Sequence, residues 1–96
     1  MTEWKFDSPP NVAVFTTRSI VCSGAWIAYV THDADDGSWQ FHDNSPGDPS
    51  DEDGMIVALS SMVLRDHTLN ELADLPEGWC AWRDSPRTPW QRGMIG

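Results

Sequence analysis

AWIAYVTHDADDGSWQFH, residues 25–42, is the stretch on which the fold turns. Read as a strand, Ala25 to Thr31 places Ala25, Ile27, Tyr29 and Thr31 on one face and Trp26, Ala28 and Val30 on the other. Both faces are largely apolar, which predicts a strand in the interior of a sheet. Ser38 to His42 alternates Trp39 and Phe41 with Ser38, Gln40 and His42, the pattern of a half-exposed strand. Between them His32 to Gly37 is built of turn formers. The segment therefore predicts a β-hairpin with an acidic tip, His32 opposite Ser38 and His42 opposite Ala28.

Outward from the hairpin, VAVFTT (12–17) is a second strand, with Ser19 to Cys22 continuing it after a kink and Ser23-Gly24 as punctuation. The leading segment MTEWKFDSPPN (1–11) ends in Pro9-Pro10 and reads as an extended N-terminal arm pinned by Trp4 and Phe6. DNSPGDPSDEDG (43–54) is a loop on composition. MIVAL (55–59) is a short apolar strand, followed by one helical turn capped by Ser60. A second helix starts at the capping box Thr68-Leu69-Asn70-Glu71, with Asp66 as a rival cap, and ends at Pro76 and Gly78. GWCAWR (78–83) is the closing strand, and residues 85–96 form an extended C-terminal tail. Residues 12–84 make one globular domain of the α+β class: a mainly antiparallel twisted sheet of about five strands with one or two short helices.

The chain of 96 residues has a net charge of −9, and its distribution says more than its size. From Ser19 to Leu64 there is no lysine or arginine, while Asp33, Asp35, Asp36, Asp43, Asp48, Asp51, Glu52 and Asp53 form one acidic block. Such a block repels nucleic-acid phosphates and anionic lipid and draws in basic partners. No apolar run approaches the roughly 20 residues that span a bilayer. Cys22 and Cys80 belong to no C-x-x-C pair and follow no signal-peptide pattern. Buried free thiols in a cytoplasmic protein are expected.

The hairpin tip holds the densest cluster of carboxylate and imidazole side chains in the sequence. An EF-hand register on Gly37 puts His32 and Ala34 where acids are required, and one on Gly54 starts at Pro49, so a calcium loop is excluded. His32 and His42 lie four residues apart along the ladder, about 13 Å, too far to share an ion. A looser magnesium site on the Asp33–Asp36 carboxylates stays open as the minor alternative. No G-x-S-x-G, H-E-x-x-H, Walker A or G-x-G-x-x-G motif is present, and nothing specific supports a Cys80–His67 dyad. The expectation is a non-enzymatic protein without cofactor or metal. WCAWRDSPRTPW (79–90) interleaves tryptophan with arginine, as single-strand binders do. The overall charge opposes that role; Trp79 and Trp82 read as strand core, and Arg83, Arg87 and Arg92 as partners for the acidic block.

What remains is a rigid hairpin with an acidic tip, a long acidic loop and tryptophans to spare. That pattern predicts protein–protein recognition of a basic partner through Asp33, Asp35, Asp36, Trp39, Asp51, Glu52, Asp53 and Trp90. AVFTTRSIV (13–21), IAYVTHDADDGSWQF (27–41) and LADLPEGWCAWRDSPRTPW (72–90) together resemble a bacterial domain family of unknown function grouped with the immunity-protein-33-like domains of polymorphic toxin systems. The resemblance covers about residues 11–90 and implies a small inhibitor that neutralises a toxin by contact. It carries no catalytic residue or cofactor. The alternatives are an acidic nucleic-acid mimic that blocks a DNA- or RNA-binding enzyme, and a small enzyme. A monomer and a homodimer both fit the sequence.

Overall fold

In the computed structural model, residues 4–44 and 54–95 are described. A six-stranded sheet forms from β1 (Ala13–Thr17), β2 (Tyr29–His32), β3 (Trp39–His42), β4 (Gly54–Ala58), β5 (Trp79–Trp82) and β6 (Gln91–Met94). Its order is β4-β1-β3-β2-β5-β6. All neighbours are antiparallel except β1 and β3, which run parallel with Phe15 beside Gln40. Two α-helices, α1 (Arg18–Ser23) and α2 (Leu59–Arg65), and a 3-10 helix (His67–Leu72) complete the α+β domain.

The hairpin forms as expected and β2 lies inside the sheet, but its register differs by one residue. His32 pairs with Trp39 and Tyr29 with His42. A one-residue slip exchanges faces, so the two histidines point to opposite sides of the sheet. Ladder geometry ends at Tyr29 and does not reach Ala25. Ile27 and Ala28 are both buried, which breaks the alternation, and the Ile27 carbonyl is taken by the Arg83 side chain.

Ser19–Cys22 coils into α1 instead of continuing β1. The Thr17 hydroxyl accepts from the Ile20 N–H, and Arg65 donates to the Ile20 and Val21 carbonyls at 3.2 and 2.9 Å. These long-range bonds satisfy the helix end and outweigh the strand preference of Ile-Val-Cys. At α2 the first N–H groups find the Val12 and Pro10 carbonyls, both at 2.9 Å, so Ser60 is not the cap. Asp66, the rival cap, receives the Thr68 N–H at 3.0 Å.

The three helices of the described residues lie on one face of the sheet. Their buried residues (Ile20, Leu59, Met62, Val63, Leu69 and Leu72) pack with Val14, Val30, Phe41 and Ala81 from the strands. Phe6 joins this core, so the segment read as an arm is anchored to the domain. The segment read as an extended C-terminal tail supplies β6, the sixth strand. Residues of the other, outer face form two rows. Pairing aligns Ile56, Phe15, Gln40, Thr31, Cys80 and Gly93 across the whole sheet. Two residues along each strand the second row is Gly54, Thr17, His42, Tyr29, Trp82 and Gln91.

Candidate protein-binding site

The hairpin tip is held by its own polar groups. Asp33 donates its N–H to the Ser38 carbonyl at 2.8 Å, and Gly37 donates to the Asp33 carbonyl at 2.9 Å. Gly37 takes a φ of 72°, in the left-handed region that a side chain makes costly. The Asp33 carboxylate turns back along the sheet, accepting from Gln40 Nε2 at 2.7 Å and from the Ser38 hydroxyl at 3.3 Å. It is a clasp more than a free charge. Asp35 and Asp36 point to water. Hydrogen bonds from Ser38 hold the Asp36 carboxyl below the usual carboxylate range, so it is charged at neutral pH.

A second turn seats the tip against the end of the sheet. Gly78, with φ 84°, donates to the His32 carbonyl, and its own carbonyl receives the Ile95 N–H at 2.8 Å. The result is a concavity of about 300 Å³ lined by Asp33, Ala34, Asp35, Asp36, Gly78 and Ile95. Ile95 and Met94 are exposed. Glu77 brings another carboxylate close to Gly37; a Cβ built there would lie 3.4 Å from its Oε1. Glu77, Met94 and Ile95 were not foreseen. They sit outside the acidic block and in the supposed tail, so no local pattern marks them.

The other predicted contact residues separate. Trp39 is corrected to a core residue: it is 2 % exposed, stacked on His32 at 3.9 Å and edge-on to Phe6 at 5.3 Å. Its alternation with Gln40 turns it toward the helices, leaving no surface for a partner. His32 in turn donates from Nδ1 to the Leu75 carbonyl at 2.8 Å. Trp90 is half-buried and committed elsewhere, its ring 4.3 Å from the Arg83 guanidinium and its Nε1 donating to Thr68 Oγ1 at 3.1 Å. Asp51, Glu52 and Asp53 lie outside the described residues.

Arg83 and Arg92, expected to pair with the acidic block, pair with Asp66 and Asp74 instead. Both thiols are free, but Cys22 is exposed on α1 while Cys80 is buried. Cys80 lies on the outer face of the sheet, and His67 starts a helix on the opposite side. Among the described residues, no group of three or more histidine, cysteine or acidic side chains converges on a common point. No helix among them is long and apolar enough to cross a membrane.

Fold and tip together define a small acidic α+β domain with a charged recess at one end of its sheet. No family model, no characterised protein and no solved structure matches the chain.

Proposed function

We propose that the protein is a non-enzymatic acidic binding protein of the immunity type, which neutralises a basic toxin or enzyme by protein–protein contact. The observation that carries this reading is the recess at the hairpin tip. Its carboxylates and its apolar wall match the two halves of a lysine or arginine side chain. The stem lies on Ala34 and Ile95 while the cationic head meets Asp35 and Asp36. Asp33, braced by Gln40 and Ser38, stiffens the turn that presents them. The net charge of −9 supplies long-range attraction, which acts on the rate of encounter before any contact forms.

The test is co-purification from the native host with wild-type protein and with Asp35→Asn/Asp36→Asn. Both positions are exposed, and asparagine at position 36 keeps an oxygen for the Ser38 N–H, so the fold is expected to survive the change. Loss of two charge-assisted contacts is expected to weaken capture of the partner by at least tenfold. A partner retained equally by both proteins would remove the tip from the binding surface.

A further inference from the structure

We propose that the outer face of the sheet is a self-association surface, occupied by the same face of a second copy of this chain. In a chain with 15 acidic residues, neither of the two rows that make up this face contains a single aspartate, glutamate, lysine or arginine. Phe15 is 46 %, Tyr29 36 % and Ile56 64 % exposed on it. A half-solvated antiparallel sheet normally carries polar and charged residues outward; here Phe15 and Ile56 stand side by side, with Tyr29 two strands from Phe15, and exposed apolar surface grouped on one face marks an interface. Burial keeps His42 below its usual pKa against the opposing pull of Asp43 and Asp33, and burial together with the Cys80 thiol raises the Tyr29 phenol. The side chains of the two rows are therefore uncharged near pH 7, and the Asp33 carboxylate that borders them at the tip end is bonded to Gln40.

The arrangement of sizes points to a copy of itself. Along every strand but β3, where Gln40 and His42 are both large, a bulky residue of one row lies two positions from a smaller one of the other: Phe15 and Thr17, Tyr29 and Thr31, Ile56 and Gly54, Trp82 and Cys80, Gln91 and Gly93. Thr31 is recessed, at 9 % exposure, and Thr17, at 6 %, turns its hydroxyl to the α1 cap. A two-fold axis running across the strands between the rows sets Phe15 over Thr17 of the second copy, Tyr29 over Thr31 and Ile56 over Gly54, and the reverse. Such an isologous contact needs one self-complementary surface and closes at the dimer. The same axis sends the two acidic tips to opposite ends of the pair, where their charges repel least. Six strands spaced about 4.8 Å apart, each about 15 Å long, cover on the order of 430 Å² per face. The accessible area lost by both copies is then on the order of 1,000 Å², at the lower edge of specific interfaces, which suits micromolar association. The two sheets would lie about 10 Å apart, as in a β-sandwich.

Sedimentation equilibrium of the purified full chain, from micromolar to near-millimolar concentration, tests this. The expected result is a reversible shift from 10.8 kDa toward twice that mass. Ile56→Glu alone is expected to weaken the dimer at least tenfold, and Phe15→Glu/Ile56→Glu to abolish it, with circular dichroism confirming that each variant is folded. Ile56→Glu lies on an exposed edge strand and keeps the test readable should the double variant not fold. Leu64→Glu, on the opposite, helical side and 74 % exposed, is expected to leave the dimer intact, as is Asp35→Asn/Asp36→Asn. A wild-type protein that stays monomeric throughout would overturn the proposal. So would a dimer that survives charge insertion at Ile56, or one dissolved by Leu64→Glu.

Discussion

Arg83 is the residue at which the helical layer, the closing strand and the chain end meet. Its Nε donates to the Ile27 carbonyl at 2.8 Å, and one terminal nitrogen reaches Thr68 Oγ1 at 3.0 Å and the Pro86 carbonyl at 3.4 Å. The other terminal nitrogen is paired with Asp66. Trp90 and Trp26 flank the guanidinium, with ring centres 4.3 and 5.8 Å away. Only the fixed fork of an arginine meets these acceptors at once. With its side chain 1 % exposed, loss of the counter-charge is costly. Asp66→Ala is expected to lower unfolding stability by about 3–5 kcal/mol, read by urea titration. The same pair sets an acid limit. Burial pushes the Asp66 carboxyl up, but bonds from Thr68 and Arg83 and the charge of Arg83 bring it below its ordinary 3.8. A carboxyl depressed in the folded state adds stability above its unfolded pKa, and that stability is lost as pH falls through the folded value. Thermal unfolding of the wild type should therefore lose stability below about pH 4. Asp66→Asn should flatten that part of the acid limb; an unchanged limb would assign it to other carboxylates.

At the scale of elements, the two glycine turns decide where the tip sits. Gly78 holds a φ of 84° and links the His32 carbonyl to the Ile95 N–H. A Cβ there would meet Ala34 at an ordinary 3.5 Å, so conformation and not crowding is the obstacle. Gly78→Ala is expected to cost about 1–2 kcal/mol, the penalty for a left-handed residue with a side chain. It should also speed amide exchange at Ile95 more than at Val30 in the sheet centre; equal exchange at both would show that the turn does not hold the tip. The hairpin was legible because its apolar alternation and its turn residues lie within one short segment. α1 was not, because its decisive partner, Arg65, is more than forty residues away. β6 was hidden for a similar reason: Gln91-Arg92-Gly93-Met94 has no strand pattern. Its place depends on pairing with β5, on Trp82 lying across Gly93, and on Arg92 reaching Asp74 and the Glu71 carbonyl.

Across the whole molecule, three surfaces divide the sheet: one end carries the acidic recess with its apolar wall, one face carries the helices, and the other face holds the two uncharged rows. In the proposed function, attraction between a chain of net charge −9 and a basic partner is screened over about 8–10 Å at ordinary ionic strength. Partner association is expected to slow several-fold between low and physiological salt while dissociation changes little, as stopped-flow or surface-binding kinetics would show. An association rate indifferent to salt would count against electrostatic capture. Composition and periodicity determined the α+β class, the hairpin and the acidic central block, because these depend on neighbouring residues and on sums over the chain. Register, the coiling of Ser19–Cys22 and the use of Trp39 and Trp90 were decided only in the folded structure. The helix and the two tryptophans depend on partners distant in sequence: Phe6 for Trp39, Thr68 for Trp90, Arg65 for α1. So too was the gathering of Glu77 and Ile95 at the tip, since only strand pairing brings residues 33–37, 77–78 and 95 to the same end of the sheet.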